Sequence, residues 1–206
     1  MNLEISPNSV LLLIDFQQGF DDPSWGERNN PAAEQRAKDL LKAWREADRP
    51  LVHIRHDSQE AESPLQRTRG GFAFKSEVAP NEDERLVVKR VNSAFVGTNL
   101  QMWLEEHGYE RLVLTGFTAD HCVSTTARMA ENLGFRVIVI TDATATFERE
   151  TPTGRAVPAD ENSPGRTRAT SWRVCHCGRY RAGVDADDER TNGSVVASAR
   201  TEGAFS

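Results

Sequence analysis

Short unbroken apolar runs alternate with longer stretches in which apolar residues recur every three or four positions, and the alternation holds from residue 9 to residue 141. Residues 9–15 read Ser-Val-Leu-Leu-Leu-Ile-Asp. A run of strand length that is apolar on both faces predicts a strand in the middle of a parallel sheet. Residues 51–55, 86–89, 111–115 and 136–141 predict four more such strands. Between them, Ala33, Ala37, Leu40, Leu41 and Trp44 predict a helix over 31–47, opened by Pro31 and ended before Pro50. Leu100, Trp103 and Leu104 predict a second over 99–107, with Gly108 as its cap, and a third runs over 123–133 to Gly134. Strand and helix in strict alternation predict an α/β domain: a doubly wound, Rossmann-like, mainly parallel sheet with helices on both faces.

The polar residues that end these runs carry the candidate chemistry. Asp15 ends the first strand and Lys89 the third, and in open parallel sheets ligands bind beyond the carboxyl ends of the strands. Cys122 lies where the strand over 111–115 hands over to the third helix. A helix N-terminus offers unpaired N–H groups and the positive end of the dipole, which lower a thiol pKa and can hold an oxyanion. Position alone suits a buried structural cysteine equally well, as it suits Asp15 as a turn former. An acid and a lysine closing their own strands at one sheet edge favour the nucleophile.

Residues 16–30 and 59–78 are polar, turn-rich and aromatic, as expected of loops around a site, and with residues 92–95, just before the second helix, they are where pocket selectivity is expected. Phe16, Phe20, Trp25, His56, Phe95 and His121 are the candidate pocket residues. His53, His56 and Asp57 suggest a metal, but His53 falls on the opposite face of its strand, and no further ligand pair occurs at zinc-like spacing. Neither a metal nor any other cofactor is expected.

The net charge of −6 provides no basic field for nucleic acid or an anionic membrane, so a small molecule is the expected partner. The first residues lack the pattern of a signal peptide and no apolar run is of membrane-spanning length, which predicts a cytoplasmic protein. Three cysteines, Cys122, Cys175 and Cys177, fall short of disulfide-scaffold density and suit a reducing compartment.

The pattern stops at residue 161, which sets a domain over 1–161 and an atypical tail over 162–206. The tail's 45 residues contain no Leu, Ile, Met or Lys but seven Arg. Such a segment is expected to stay out of the core, disordered or translated in a shifted frame. Its Cys-His-Cys at 175–177 is a weak metal knuckle without a second pair. One permitted back-translation of residues 162–181, read with its first nucleotide removed, gives IHRAALARPHGEFATVVDTE. That string has helical spacing and then a strand-like run, the βα element otherwise missing at the end of the sheet.

With Leu-Leu-Leu-Ile before Asp15, Val-Val before Lys89, Gly116 to Arg128 around Cys122, and Asp142-Ala143 after the fifth strand, the chain resembles the isochorismatase-like cysteine hydrolases. This superfamily includes nicotinamidases, N-carbamoylsarcosine amidases and isochorismatases. The resemblance implies an Asp15–Lys89–Cys122 triad hydrolysing the C–N bond of a small amide through a thioester. It also implies a cis peptide between Phe117 and Thr118, with the N–H groups of Thr118 and Cys122 facing the oxyanion, and a homo-oligomer. The metal-binding set of the nicotinamidases is not reproduced by His53, His56 and Asp57. Vinyl-ether hydrolysis of an isochorismate-like acid, with Asp15 as the acid, is the alternative activity. A chain impaired by its altered C-terminus is the other alternative.

Overall fold

The computed structural model describes residues 2–162, 176–180 and 195–198. Five parallel strands form its centre: β2 (Ser9–Ile14), β3 (Leu51–His56), β4 (Arg85–Lys89), β5 (Arg111–Phe117) and β6 (Arg136–Ala145). β1 (Asn2–Ile5) precedes them, and a two-stranded ribbon of β7 (Arg149–Glu150) and β8 (Ala156–Val157) comes after. With β9 (His176–Tyr180) and β10 (Val195–Ser198) the sheet order is β1-β10-β9-β6-β5-β2-β3-β4. Three helices connect the central strands: α1 (Ala33–Glu46), α2 (Leu100–Glu106) and α3 (Ser124–Asn132). The doubly wound parallel sheet expected from the hydrophobic pattern is the architecture found. No helix among the described residues is long and apolar enough to cross a membrane.

Alternate residues of β2 feed two separate cores, as the period of a strand requires. Leu11 and Leu13 join Ala37, Leu40, Leu41 and Trp44 of α1 on one face. Val10, Leu12 and Ile14 join Leu100 and Leu104 of α2 and Ala127 and Ala130 of α3 on the other. Burial on both faces is why β2 contains no polar residue between Ser9 and Asp15.

The register brings the carboxyl ends together. Ile14 lies opposite Gly116 of β5 and Ile54 of β3, while His56 of β3 lies opposite Lys89 of β4. The ends of four neighbouring strands, β5, β2, β3 and β4, thus converge on one edge.

The tail was expected to stay out of the core, and two of its segments pair with the sheet through their backbone. β9 runs parallel beside β6, with Ile138 opposite His176, and β10 links β9 to β1. Backbone pairing along the otherwise open edge of β6 needs no apolar side chains, which is why composition did not reveal it. The shifted-frame reading and the Cys-His-Cys knuckle rest on residues and side chains that lie outside the described ones.

Candidate active site

β5 ends at Phe117, the Phe117–Thr118 peptide is cis, and a π-type turn, Ala119–Val123, carries Cys122 into α3. The Thr118 carbonyl accepts from the N–H groups of His121 (3.2 Å) and Val123 (3.1 Å), which folds the turn back on itself. Asp120 fastens the turn to the segment after β6. Its carboxylate accepts from the Thr146 hydroxyl and from Arg149 Nε at 2.9 Å. Burial alone would raise the Asp120 pKa, but the hydrogen bonds from Arg149 and Thr146 outweigh it and hold the carboxyl below its ordinary value.

Lys89 is the centre of the constellation. Its Nζ lies 2.6 Å from Asp15 Oδ2, 3.2 Å from Cys122 Sγ and 3.0 Å from His56 Nδ1. Asp15 and Lys89 are buried, and Cys122 is 8 % exposed. Burial would lower the lysine pKa, yet the negative charge of Asp15 and the neighbouring sulfur raise it, so Lys89 stays an ammonium. The thiol departs from expectation. Burial, reinforced by the Asp15 charge and opposed by Lys89, pushes the Cys122 pKa up to about 12. Desolvation here outweighs the helix-terminus effect that the strand-to-helix position suggested, and the resting sulfur is a neutral thiol.

Asp15, His56 and Cys122 could each supply one metal-ligand atom, all within 4.8 Å of one another. Lys89 Nζ touches all three residues, so a metal there would have to displace an ammonium. His53 is turned away to Glu84, 2.9 Å from its Oε2, as the strand alternation predicts.

The six candidate pocket residues divide into groups. His56 sits against the lysine, and Phe95 lies in the same core as Cys122, its ring stacked on Phe135. His121 is largely exposed on the Ala119–Val123 turn, 3.7 Å from Asp120. Phe16, Phe20 and Trp25 lie on the α1 side instead, where Phe16 packs edge-on against Phe117 and Phe20 stacks on Phe117 and Phe147. Phe20 and Phe147 help line a cavity of about 650 Å³ together with Arg28, Glu34 and Lys75; Cys122 is not in its wall.

Two functional candidates were not visible in the sequence. Asn92 Oδ1 accepts from the Cys122 thiol at 3.7 Å, and buried Gln17 brackets His56 by accepting from its N–H (2.7 Å) and donating to its carbonyl (3.0 Å). Their sequence signal is that each follows a strand end within a segment expected around the site; nothing in the sequence singles out the individual residue.

The Isochorismatase domain family model matches residues 9–156. The isochorismatase family protein YrdC of Bacillus subtilis is 44 % identical over 138 residues, 67 % of this chain and 74 % of that protein. Streptothricin hydrolase of Streptomyces noursei is 30 % identical over 172 residues, 82 % of this chain and 66 % of that protein. A crystal structure of an isochorismatase-family protein from Chromobacterium violaceum superimposes with a TM-score of 0.81 at 42 % identity, covering 87 % of this chain and 93 % of that one.

Proposed function

Since the chain belongs to the isochorismatase family, we propose that it hydrolyses a small-molecule amide, with Cys122 as nucleophile, Asp15 as proton acceptor and Lys89 as the cation joining them. The observation that carries this reading is the Lys89 ammonium, within 3.2 Å of both the thiol sulfur and the Asp15 carboxylate. A thiol this basic does not rest as thiolate, so its proton leaves for Asp15 as sulfur attacks the carbonyl carbon. The oxyanion that forms faces the N–H groups of Thr118 and Cys122. Asp15 then returns the proton to the leaving nitrogen, the C–N bond breaks, and a thioester remains. Water, deprotonated by the same carboxylate, attacks the thioester, releases the acid and restores the thiol. Streptothricin hydrolase, by its name a hydrolase, supports hydrolysis as the reaction class.

A panel of small amides, screened for ammonia release, tests this. Turnover should appear with at least one member and vanish in Cys122→Ala, a loss of at least about a thousandfold for a covalent nucleophile. Undiminished turnover in that variant would refute the mechanism.

A second reading is vinyl-ether hydrolysis without a covalent step, in which Asp15 must first take up a proton to act as the acid. In that case activity toward an isochorismate-like acid survives Cys122→Ala and is lost in Asp15→Asn.

A further inference from the structure

We infer that His56 is a positioning residue: its Nδ1 is the third partner of the Lys89 ammonium and holds that group between Asp15 and Cys122. An ammonium has three N–H bonds and no acceptor. Lys89 Nζ has three electron-rich atoms around it: the Asp15 carboxylate at 2.6 Å, Cys122 Sγ at 3.2 Å and His56 Nδ1 at 3.0 Å. Lys89 is 1 % exposed, so no bulk water stands ready to replace a missing partner. Without His56, the ammonium would be free to tilt away from the sulfur toward the carboxylate.

His56 is held for this task at its own backbone. It lies opposite Lys89 in the parallel register of β3 and β4, and Gln17 grips both its N–H and its carbonyl. An ammonium only donates, so Nδ1 must be unprotonated and the ring proton must sit on Nε2. The surroundings agree. Burial and the Lys89 charge lower the His56 pKa, against opposition from Asp15, Asp57 and a hydrogen bond to Val91. Asp57 is itself flanked by Arg67 (3.3 Å) and Arg90 (3.5 Å), which weakens its pull on the imidazole.

The inference rests on the triad reading, yet its tests need no substrate. The first is the tautomer of His56, read by long-range proton–nitrogen correlation in the nitrogen-15-labelled full-length chain. A neutral ring protonated at Nε2 is expected at neutral pH and above; a ring protonated at Nδ1 overturns the proposal. The second tracks Cys122 alkylation by iodoacetamide, peptide by peptide, so that it is read apart from Cys175 and Cys177. His56→Asn places an acceptor oxygen near the Nδ1 position and should keep the wild-type rate and pH profile. His56→Leu has no acceptor and should slow alkylation about tenfold, one pKa unit, with the profile displaced to higher pH. A wild-type profile in His56→Leu, or an equal loss in both variants, overturns the proposal. If His56→Leu does not fold, the wild-type tautomer and His56→Asn still decide. An Nε2-protonated ring in a chain that turns over no amide would end the amidase reading and leave this one standing.

Discussion

Gly116 has φ 131°, and a β-carbon on it would stand 1.9 Å from the carbonyl oxygen of Ile14, the residue before Asp15. The strand that ends at Asp15 and the strand that leads into the Cys122 turn approach so closely at this point that only glycine fits. Gly116→Ala should therefore cost roughly 1–3 kcal/mol from the disfavoured backbone alone, with the backbone clash added to it. Urea denaturation measures this directly; unchanged stability would mean that the strands separate without penalty. Asp15, Lys89 and Cys122 were legible in the sequence because each breaks or succeeds an apolar run at a predictable edge. Gln17 and Asn92 were not, since their roles depend on distances across strands, to His56 at 2.7 Å and to Cys122 at 3.7 Å. Nor was the basicity of the thiol: a local pattern places a cysteine at a helix start but cannot say how completely the rest of the fold will bury it.

One carboxylate does at the level of elements what Gly116 does for two strands. Glu84, in the turn before β4, accepts from Arg45 of α1 at 2.7 and 2.8 Å, from the Asn81 N–H at 2.8 Å and from His53 of β3 at 2.9 Å. Burial would raise its pKa, but the Arg45 and Asn81 hydrogen bonds with the charge of Arg45 and His53 bring it down from 4.5 to about 2. A carboxyl whose folded pKa lies below its unfolded one contributes its full stability above the unfolded value and loses it as pH falls through the folded value. Glu84→Gln should thus lower stability at neutral pH by roughly 1–3 kcal/mol. Thermal melts in a pH series should show that deficit shrinking from about pH 4.5 toward pH 2, and a deficit constant across that range would show that charge plays no part. The three helices and five central strands could be read from periodicity because burial on two faces leaves a strong signal. The π-type turn at Ala119–Val123 could not, since it depends on Asp120 reaching Thr146 and Arg149. β6 also runs to Ala145, beyond the predicted end at residue 141, across a register shift against β5 that no run of apolar residues announces.

At the scale of the whole molecule the two borders of the parallel sheet differ. β4 closes one side as an exposed strand, with Leu86 at 42 % exposure. On the other side β6 is covered by β9, whose sequence, His-Cys-Gly-Arg-Tyr, contributes backbone pairing and no aliphatic residue. An α/β sheet is stabilised by helices that bury both faces of every strand, and on β6 Val137, Val139 and Ile140 are buried in the two cores while Ile138 is only partly buried. The shifted reading of residues 162–181 would offer a segment with alanine and leucine at helical spacing, then Ala-Thr-Val-Val as a strand. A gene with one nucleotide removed at the codons for Glu161 and Asn162 should therefore yield a chain with a single, sharper thermal transition. Each kcal/mol added to a chain of this size raises Tm by about 2–4 °C, and a rise of roughly 5 °C or more is expected, with less aggregation on heating. An equal or lower Tm would show that the present tail, through β9 and β10, already completes the sheet.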